Sequence, residues 1–325
     1  MIAGGALFCP APWLQGPHPQ TVVGRYLRRR AGIDLRRERI PTPDGDFVDL
    51  DFTVDGRSGG PLALVLHGLE GSARSGYAYE LYRRLAERDV PAVGLNFRSC
   101  SGELNRGRRL YHSGDTADLE HVLDLLRTRF PSRPLVAVGV SLGGNVVLKH
   151  LGSRGSASPL TAAATISVPY DLAAGACHME DGFARVYVRI LLRSLKRKLR
   201  ARAAELEDLV DLPRALSAAT FREFDDAATA PLHGFLDAND YYARSSCGPS
   251  LGRIRVPTLL ISALDDPFVP SSCVPTEAIA ASPWLKGAVS DRGGHVGFVA
   301  GMNPLRPLLW AEATAARFVT DAAVG

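Results

Sequence analysis

Leu135-Val136-Ala137-Val138-Gly139-Val140-Ser141-Leu142-Gly143-Gly144-Asn145-Val146-Val147-Leu148-Lys149-His150-Leu151 is the stretch whose reading decides the fold. The apolar, β-branched run from Leu135 to Val138 predicts a buried strand. Gly139-Val140-Ser141-Leu142-Gly143 then matches G-x-S-x-G, a strained strand-to-helix turn that presents a serine hydroxyl outward. Val146, Val147 and Leu151 continue at helical spacing. Side chains at positions 139 and 143 would crowd such a turn. The helix after Ser141 also aims its free N–H groups and positive dipole end at the hydroxyl.

Outward from this unit, strand and helix patterns alternate. Residues 33–40 and 47–54 read as strands joined by the turn Pro43-Asp44-Gly45-Asp46, 62–66 as a buried strand and 77–88 as a helix. Residues 91–97 read as a strand, 115–129 as a helix and 162–168 as a strand. The alternation predicts an α/β fold, a mainly parallel sheet with helices on both faces. The rhythm breaks at Pro169-Tyr170, and strand grammar resumes only at 256–262 and near 288–290, before a closing helix that ends near Val319. The expected organisation is an N-terminal arm over 1–30, a sheet domain made of 31–170 and 253–325, and an inserted helical cap over 171–252. In the cap, a helix over 183–206 would carry Phe183, Tyr187, Leu191, Leu195 and Leu199 on one stripe. That stripe covers a core or, alternatively, lies on a membrane interface.

The 325 residues are 46% hydrophobic and 22% charged, with ordinary globular balance, and no run approaches a membrane span. Met1 to Phe8 is apolar but lacks a basic flank, so it does not fit a secretory signal. The five cysteines are odd in number and form no C-x-x-C pair, which favours a reducing cytoplasm without disulfides or a zinc knuckle. Formal net charge is +4, concentrated in two clusters: Arg25, Arg28, Arg29, Arg30, Arg36, Arg37 and Arg39, and Arg189, Arg193, Lys196, Arg197, Lys198, Arg200 and Arg202. Such clusters are solvated faces, or they draw the chain transiently to anionic lipid headgroups at about 1 kcal/mol per residue. No nucleic-acid-binding pattern accompanies them, and no obligate protein partner is expected.

A serine hydroxyl needs a base beside it, and the base needs an acid to fix its tautomer. In hydrolase sheets these follow in the order Ser, Asp or Glu, His. After the strand over 256–262 comes Asp265-Asp266-Pro267, and after the last strand comes Gly293-Gly294-His295-Val296-Gly297-Phe298. Loops at the carboxyl ends of parallel strands are where ligands bind. His295 is therefore the expected base. Asp266 is the expected acid, with Asp265 as the alternative, read as a turn carboxylate. The N–H of Leu142, directly after the serine, and that of Leu69, in the loop His67-Gly68-Leu69-Glu70-Gly71, are the expected oxyanion donors. His67 precedes Ser141 and breaks the order, so it is read as shaping its loop. The other histidines show no metal-ligand spacing, and neither a P-loop nor G-x-G-x-x-G is present, so no metal, nucleotide or other cofactor is expected.

Several blocks together resemble the YheT-like branch of the α/β-hydrolase superfamily, whose eukaryotic members are membrane-linked lipid esterases. They are Pro12-Trp13-Leu14 with His18-Pro19-Gln20-Thr21, Asp44-Gly45-Asp46, His67 to Gly71, Asn96 to Glu103, and Tyr111-His112-Ser113-Gly114. Gly139 to Asn145, Phe224-Asp225-Asp226, Tyr241-Tyr242, Ala263 to Phe268 and Gly293 to Phe298 complete the set, which spans residues 10 to 320. One departure is Ser99, where that branch has Gly in Arg-Gly-Cys-Ser-Gly. The resemblance implies a Ser141, Asp266 and His295 triad acting on carboxylic esters, acylglycerols or phospholipids among them. The expected function is thus a serine hydrolase of short- to medium-chain acyl esters working through an acyl-enzyme. An acyltransferase with the same triad and a non-catalytic lipid-binding module are the alternatives.

Overall fold

Strands β1 (Leu35–Pro41), β2 (Phe47–Thr53), β3 (Leu62–Leu66), β4 (Ala92–Asn96), β5 (Leu135–Val140), β6 (Leu160–Ile166), β7 (Thr258–Ala263) and β8 (Leu285–Ser290) form one sheet. Their order in space is β1-β2-β4-β3-β5-β6-β7-β8. The computed structural model describes residues 7–28, 30, 32–53 and 60–324. Met1 to Ala6, Arg29 and Val54, over which the sequence reading runs, lie outside the described residues. β1–β2 and β2–β4 pair antiparallel, and every neighbour from β4 to β8 pairs parallel.

Alternation along the strands builds two cores. Leu62, Leu64 and Leu66 pack with Leu119, Val122 and Leu123 of α3 (Ala117–Arg129) and with Val146, Val147 and Leu151 of α4 (Leu142–Arg154). Ala63 and Val65 point the other way, onto Leu81 and Leu85 of α2 (Gly76–Ala86) and Ala311, Ala315 and Val319 of the closing helix Trp310–Val324. A period of two therefore puts helices on both faces. Each buried aliphatic side chain contributes roughly 1.5–3 kcal/mol.

Some boundaries differ from the sequence reading. β6 ends at Ile166, not Val168, because Ser167 turns the chain at φ 54°. β8 starts at Leu285, where pairing with Thr258 of β7 overrides the weak strand propensity of Lys286 and Gly287. The closing helix runs past Val319 to Val324.

Between β6 and β7 the described chain is helical, with α5 (Leu172–His178), α6 (Ala184–Ala201) and several shorter helices. α6 and several of the shorter helices share a core that includes Val188, Leu192, Leu206 and Phe224, while α5 packs in a second cluster with Tyr241 and Tyr242. The helix expected over 183–206 is broken at Arg202, whose guanidinium donates instead to the carbonyls of Arg106 and Gly107. The expected stripe is also corrected. A four-residue step rotates about 40° on an α-helix, so Phe183 and Leu199 lie on opposite sides. Phe183 is exposed while Ala184, Val188, Leu192 and Leu199 are buried.

Arg98 is fully buried, 2% exposed. It donates to both carboxylate oxygens of Asp118 (2.8 and 2.7 Å), to Asp44 (2.7 and 3.2 Å) and to Asp46 (3.4 Å), tying the β1–β2 turn to the loop after β4 and to α3. Beside it, Ser99 sits at φ 61° and is held by Asn105, which explains how a serine occupies a site suited to glycine. Arg98→Met leaves the buried carboxylates of Asp46 and Asp118 without their cation. It should lower the unfolding free energy by about 3–5 kcal/mol in urea titration.

Candidate active site

Ser141 sits at φ 53°, ψ −119°, between β5 and α4. A positive φ at a non-glycine residue costs on the order of 1–3 kcal/mol and is held only by its surroundings. Here the surroundings are backbone: a Cβ at Gly143 would meet the Leu66 carbonyl oxygen at 2.5 Å, and one at Gly139 the Gly143 carbonyl oxygen at 2.6 Å. The Ser141 N–H donates to the Ile166 carbonyl at 2.8 Å, anchoring the turn to β6.

His295 Nε2 lies 3.0 Å from Ser141 Oγ, and His295 Nδ1 lies 2.9 and 3.1 Å from the two oxygens of Asp266. Asp266 is buried and accepts a further hydrogen bond from the Phe268 N–H at 2.8 Å. The Phe268 ring stacks flat on the imidazole, centroids 3.9 Å apart. Asp265 takes a different place: it accepts from the Gly294 N–H at 2.9 Å, and burial pushes its carboxyl pKa up. The structure thus brings Ser141, His295 and Asp266 together and leaves Asp265 as a backbone brace.

The N-terminal segment read as an arm carries α1 (Pro17–Leu27), which packs on the His295 loop. Thr21 Oγ1 accepts from the His295 N–H at 2.9 Å, and Gln20 exchanges hydrogen bonds with the backbone of Val299. Arg28 donates to the carbonyls of Val296 and Gly297 and pairs with Glu312 at 2.5 Å. A Cβ at Gly297 would lie 2.8 Å from Gln20 backbone, so that glycine serves close packing and not mobility. From the other side, the Val296 N–H donates to Ser167 Oγ at 2.9 Å. Sequence reasoning missed these braces. The His18-Pro19-Gln20-Thr21 block was their signal.

Leu69 and Leu142 both line the cavity above Ser141, and neither backbone N–H donates to another residue among those described. His67 is enclosed, with Nε2 accepting from the Phe97 N–H at 3.1 Å and Nδ1 at 2.7 Å from the Gly68 carbonyl. Burial pushes its pKa down to about 4, so it stays neutral and shapes the loop. Glu70, next to Leu69, stands at φ 54°. Its nearly buried carboxylate accepts from Tyr111 OH (2.8 Å), Ser194 Oγ (2.5 Å) and Lys198 Nζ (2.6 Å), the last two on α6. This latch between loop and helix is also absent from the sequence reading. Among the described residues, no group of three or more His, Cys, Asp or Glu side chains is placed to hold a metal ion.

The cavity encloses about 700 Å³. Tyr187, Leu191 and Leu195 of α6 line it, with Phe221, Tyr241 and Phe268. α6 therefore has two apolar faces, one in the helical core and one over Ser141.

A family profile described as "Alpha/beta hydrolase family" matches residues 63–307. The chain is 41% identical to "Putative esterase YheT" of Escherichia coli (strain K12) over 96% of its length and 92% of that protein. The chain belongs to the YheT-like branch of the α/β-hydrolases. It is also 30% identical to "Phospholipase ABHD3" of Homo sapiens, over 91% of this chain and 75% of that one. Among solved structures, the Pyrococcus furiosus esterase Pf2001 superposes with a TM-score of 0.59, covering 98% and 99% of the two chains at 13% identity, a likeness of fold.

Lys198→Met strands the Glu70 carboxylate and loosens the loop that carries Leu69. A hydrogen bond to a charged group contributes about 1.5–3 kcal/mol, so labelling of Ser141 by a serine-directed phosphonate should slow about 10- to 100-fold while the protein stays folded.

Proposed function

We propose that this α/β-hydrolase is a serine carboxylic-ester hydrolase. His295 takes the Ser141 proton as Oγ attacks the ester carbonyl, and Asp266 holds the imidazole in the tautomer with its proton on Nδ1. The N–H groups of Leu142 and Leu69 receive the oxyanion. His295 returns the proton to the leaving alcohol, and water then repeats the sequence on the acyl-enzyme. The observation that carries this reading is the hydrogen-bonded chain from Ser141 through His295 to Asp266 at the floor of the cavity. Relatives named esterase and phospholipase, with a "Monoacylglycerol lipase" of Saccharomyces cerevisiae (strain ATCC 204508 / S288c) at 28% identity, support carboxylic esters, acyl lipids among them, as substrates. Residues 171–252 act as the cap, with α6 as its roof.

The mouth of the cavity supports contact with an anionic membrane surface. Tyr26 and Ile190 line it and are 80% and 56% exposed, and Phe183, also exposed, packs against His18 and Tyr187. Exposed Arg25 and Arg30 line the cavity as well, and exposed Arg189 and Arg193 stand next to Ile190 along α6. No helix among the described residues is long and apolar enough to cross a membrane. Co-sedimentation with anionic vesicles should be strong at low salt and weaken at high salt. Absent or salt-insensitive binding would remove this part of the reading.

Ser141→Ala should abolish hydrolysis of p-nitrophenyl esters and phosphonate labelling, a loss of several orders of magnitude. Asp266→Asn should lower kcat about 10⁴-fold by favouring the wrong tautomer, and Asp265→Asn far less. Equal labelling of wild type and Ser141→Ala would refute the nucleophile. Product analysis with a competing alcohol separates hydrolysis from acyl transfer.

A further inference from the structure

The Phe224-Asp225-Asp226 and Tyr241-Tyr242 blocks play no part in the mechanism above, yet Asp225 and both tyrosines line the cavity with Ser141. Asp225 opens a single π-helical turn, Asp225–Thr229, between the helices Phe221–Phe224 and Ala230–Leu232. Such turns are rare and concentrate at functional sites.

The partners of Asp225 are neutral. One carboxylate oxygen accepts from Thr229 Oγ1 at 2.6 Å and the other from Tyr242 OH at 2.8 Å. An ionised carboxylate offers about four acceptor positions, so two stay open. Among the described residues no cation pairs with it. Arg222 lies over the Tyr242 ring, Arg214 pairs with Asp226, and Lys198 pairs with Glu70. Across the cavity wall, burial pushes His112 down to about 2 and the adjacent His233 to about 4, so both are neutral. Desolvation pushes the Asp225 carboxyl up to about 6, against which Thr229 and Tyr242 act. A carboxylate facing an aromatic cavity with unfilled acceptor positions is stabilised by whatever donor enters.

We propose that Asp225 is a substrate-recognition subsite: its carboxylate accepts a hydrogen bond from a hydroxyl or protonated amine carried by the ester, and so selects donor-bearing esters over plain alkyl ones. This rests on the ester-hydrolase reading and deepens it. The discrimination expected from one hydrogen bond to a charged acceptor is about 10- to 100-fold in kcat/KM.

The test compares matched esters. A 2-hydroxyethyl ester is set against the propyl ester, a 2-(dimethylamino)ethyl ester against the 3-methylbutyl ester, and a terminally hydroxylated acyl chain against the plain one. The pairs separate hydroxyl from ammonium and the alcohol half from the acyl half. Wild type should prefer the donor-bearing member of at least one pair at pH 8, and that preference should shrink below about pH 6 as Asp225 takes up a proton. In Asp225→Asn the ratio should fall toward one and lose this pH dependence. Phosphonate labelling of Ser141 reports whether the variant's site is assembled, and the wild-type pH series needs no variant. Wild type that hydrolyses plain esters without preference in any pair, or a preference that survives in Asp225→Asn, overturns the subsite and leaves the hydrolase standing. Wild type that hydrolyses none of the esters overturns both.

Discussion

The bracing of the loop that carries His295 is the constraint on which the rest of the site depends. Ser141 and His295 are 154 residues apart and meet at 3.0 Å. β5 and β7, inside a parallel ladder, fix where Ser141 and Asp266 emerge. His295 has less support of this kind, because it follows β8, an edge strand paired on one side only. Its position comes from hydrogen bonds to Thr21, Asp265 and Ser167 and from the Arg28 guanidinium beneath it. A displacement of about 1 Å in a catalytic group can reduce rate 10²-fold, so these contacts carry functional weight although none of them touches the serine.

Two buried ion pairs extend the constraint outward. Arg28–Glu312 joins the end of α1 to the closing helix, and Arg28 also holds the His295 loop. Lys198–Glu70 joins α6 to the loop of Leu69. Breaking one partner of the fully enclosed Arg28–Glu312 pair leaves a desolvated charge, a penalty of about 3–5 kcal/mol, and the less enclosed Lys198–Glu70 pair contributes less. Exposed pairs such as Arg127–Asp124 are worth far less. The large penalties fall where a helix from elsewhere in the chain must be held against a catalytic loop.

The sheet and the turn at Ser141 were legible because each follows from local pattern: β-branched runs, a serine between glycines, then helical spacing. The order of Ser141, Asp266 and His295 was legible for the same reason. What escaped was contact between segments without local periodicity. Thr21, Gln20 and Arg28 act on residues about 270 positions later; the His18-Pro19-Gln20-Thr21 block signals the segment, but no local pattern says what it braces. The second apolar face of α6 escaped because a four-residue stripe mixes residues from the helical core with residues over the cavity. Lys198 was read within a basic cluster, yet its ammonium is enclosed against Glu70.

Glu70 and Asp225 show how the cavity treats two carboxylates in opposite ways. Glu70 is matched by a lysine, whereas Asp225 has only neutral donors. Because the folded-state pKa of Asp225 is raised from 3.8 to about 6, the folded protein holds its proton more tightly than the unfolded chain. Its contribution to stability is therefore full below 3.8 and lost as pH rises through about 6. Asp44 and Asp46, on Arg98 and its neighbouring amides, are lowered instead, so their contribution is present above 3.8 and lost as pH falls. Asp225 on one side and Asp44 and Asp46 on the other thus respond to pH in opposite directions. At neutral pH Asp44 and Asp46 keep the stability that their ionised forms supply, while Asp225 has given up its own and stands as an ionised acceptor on the cavity wall.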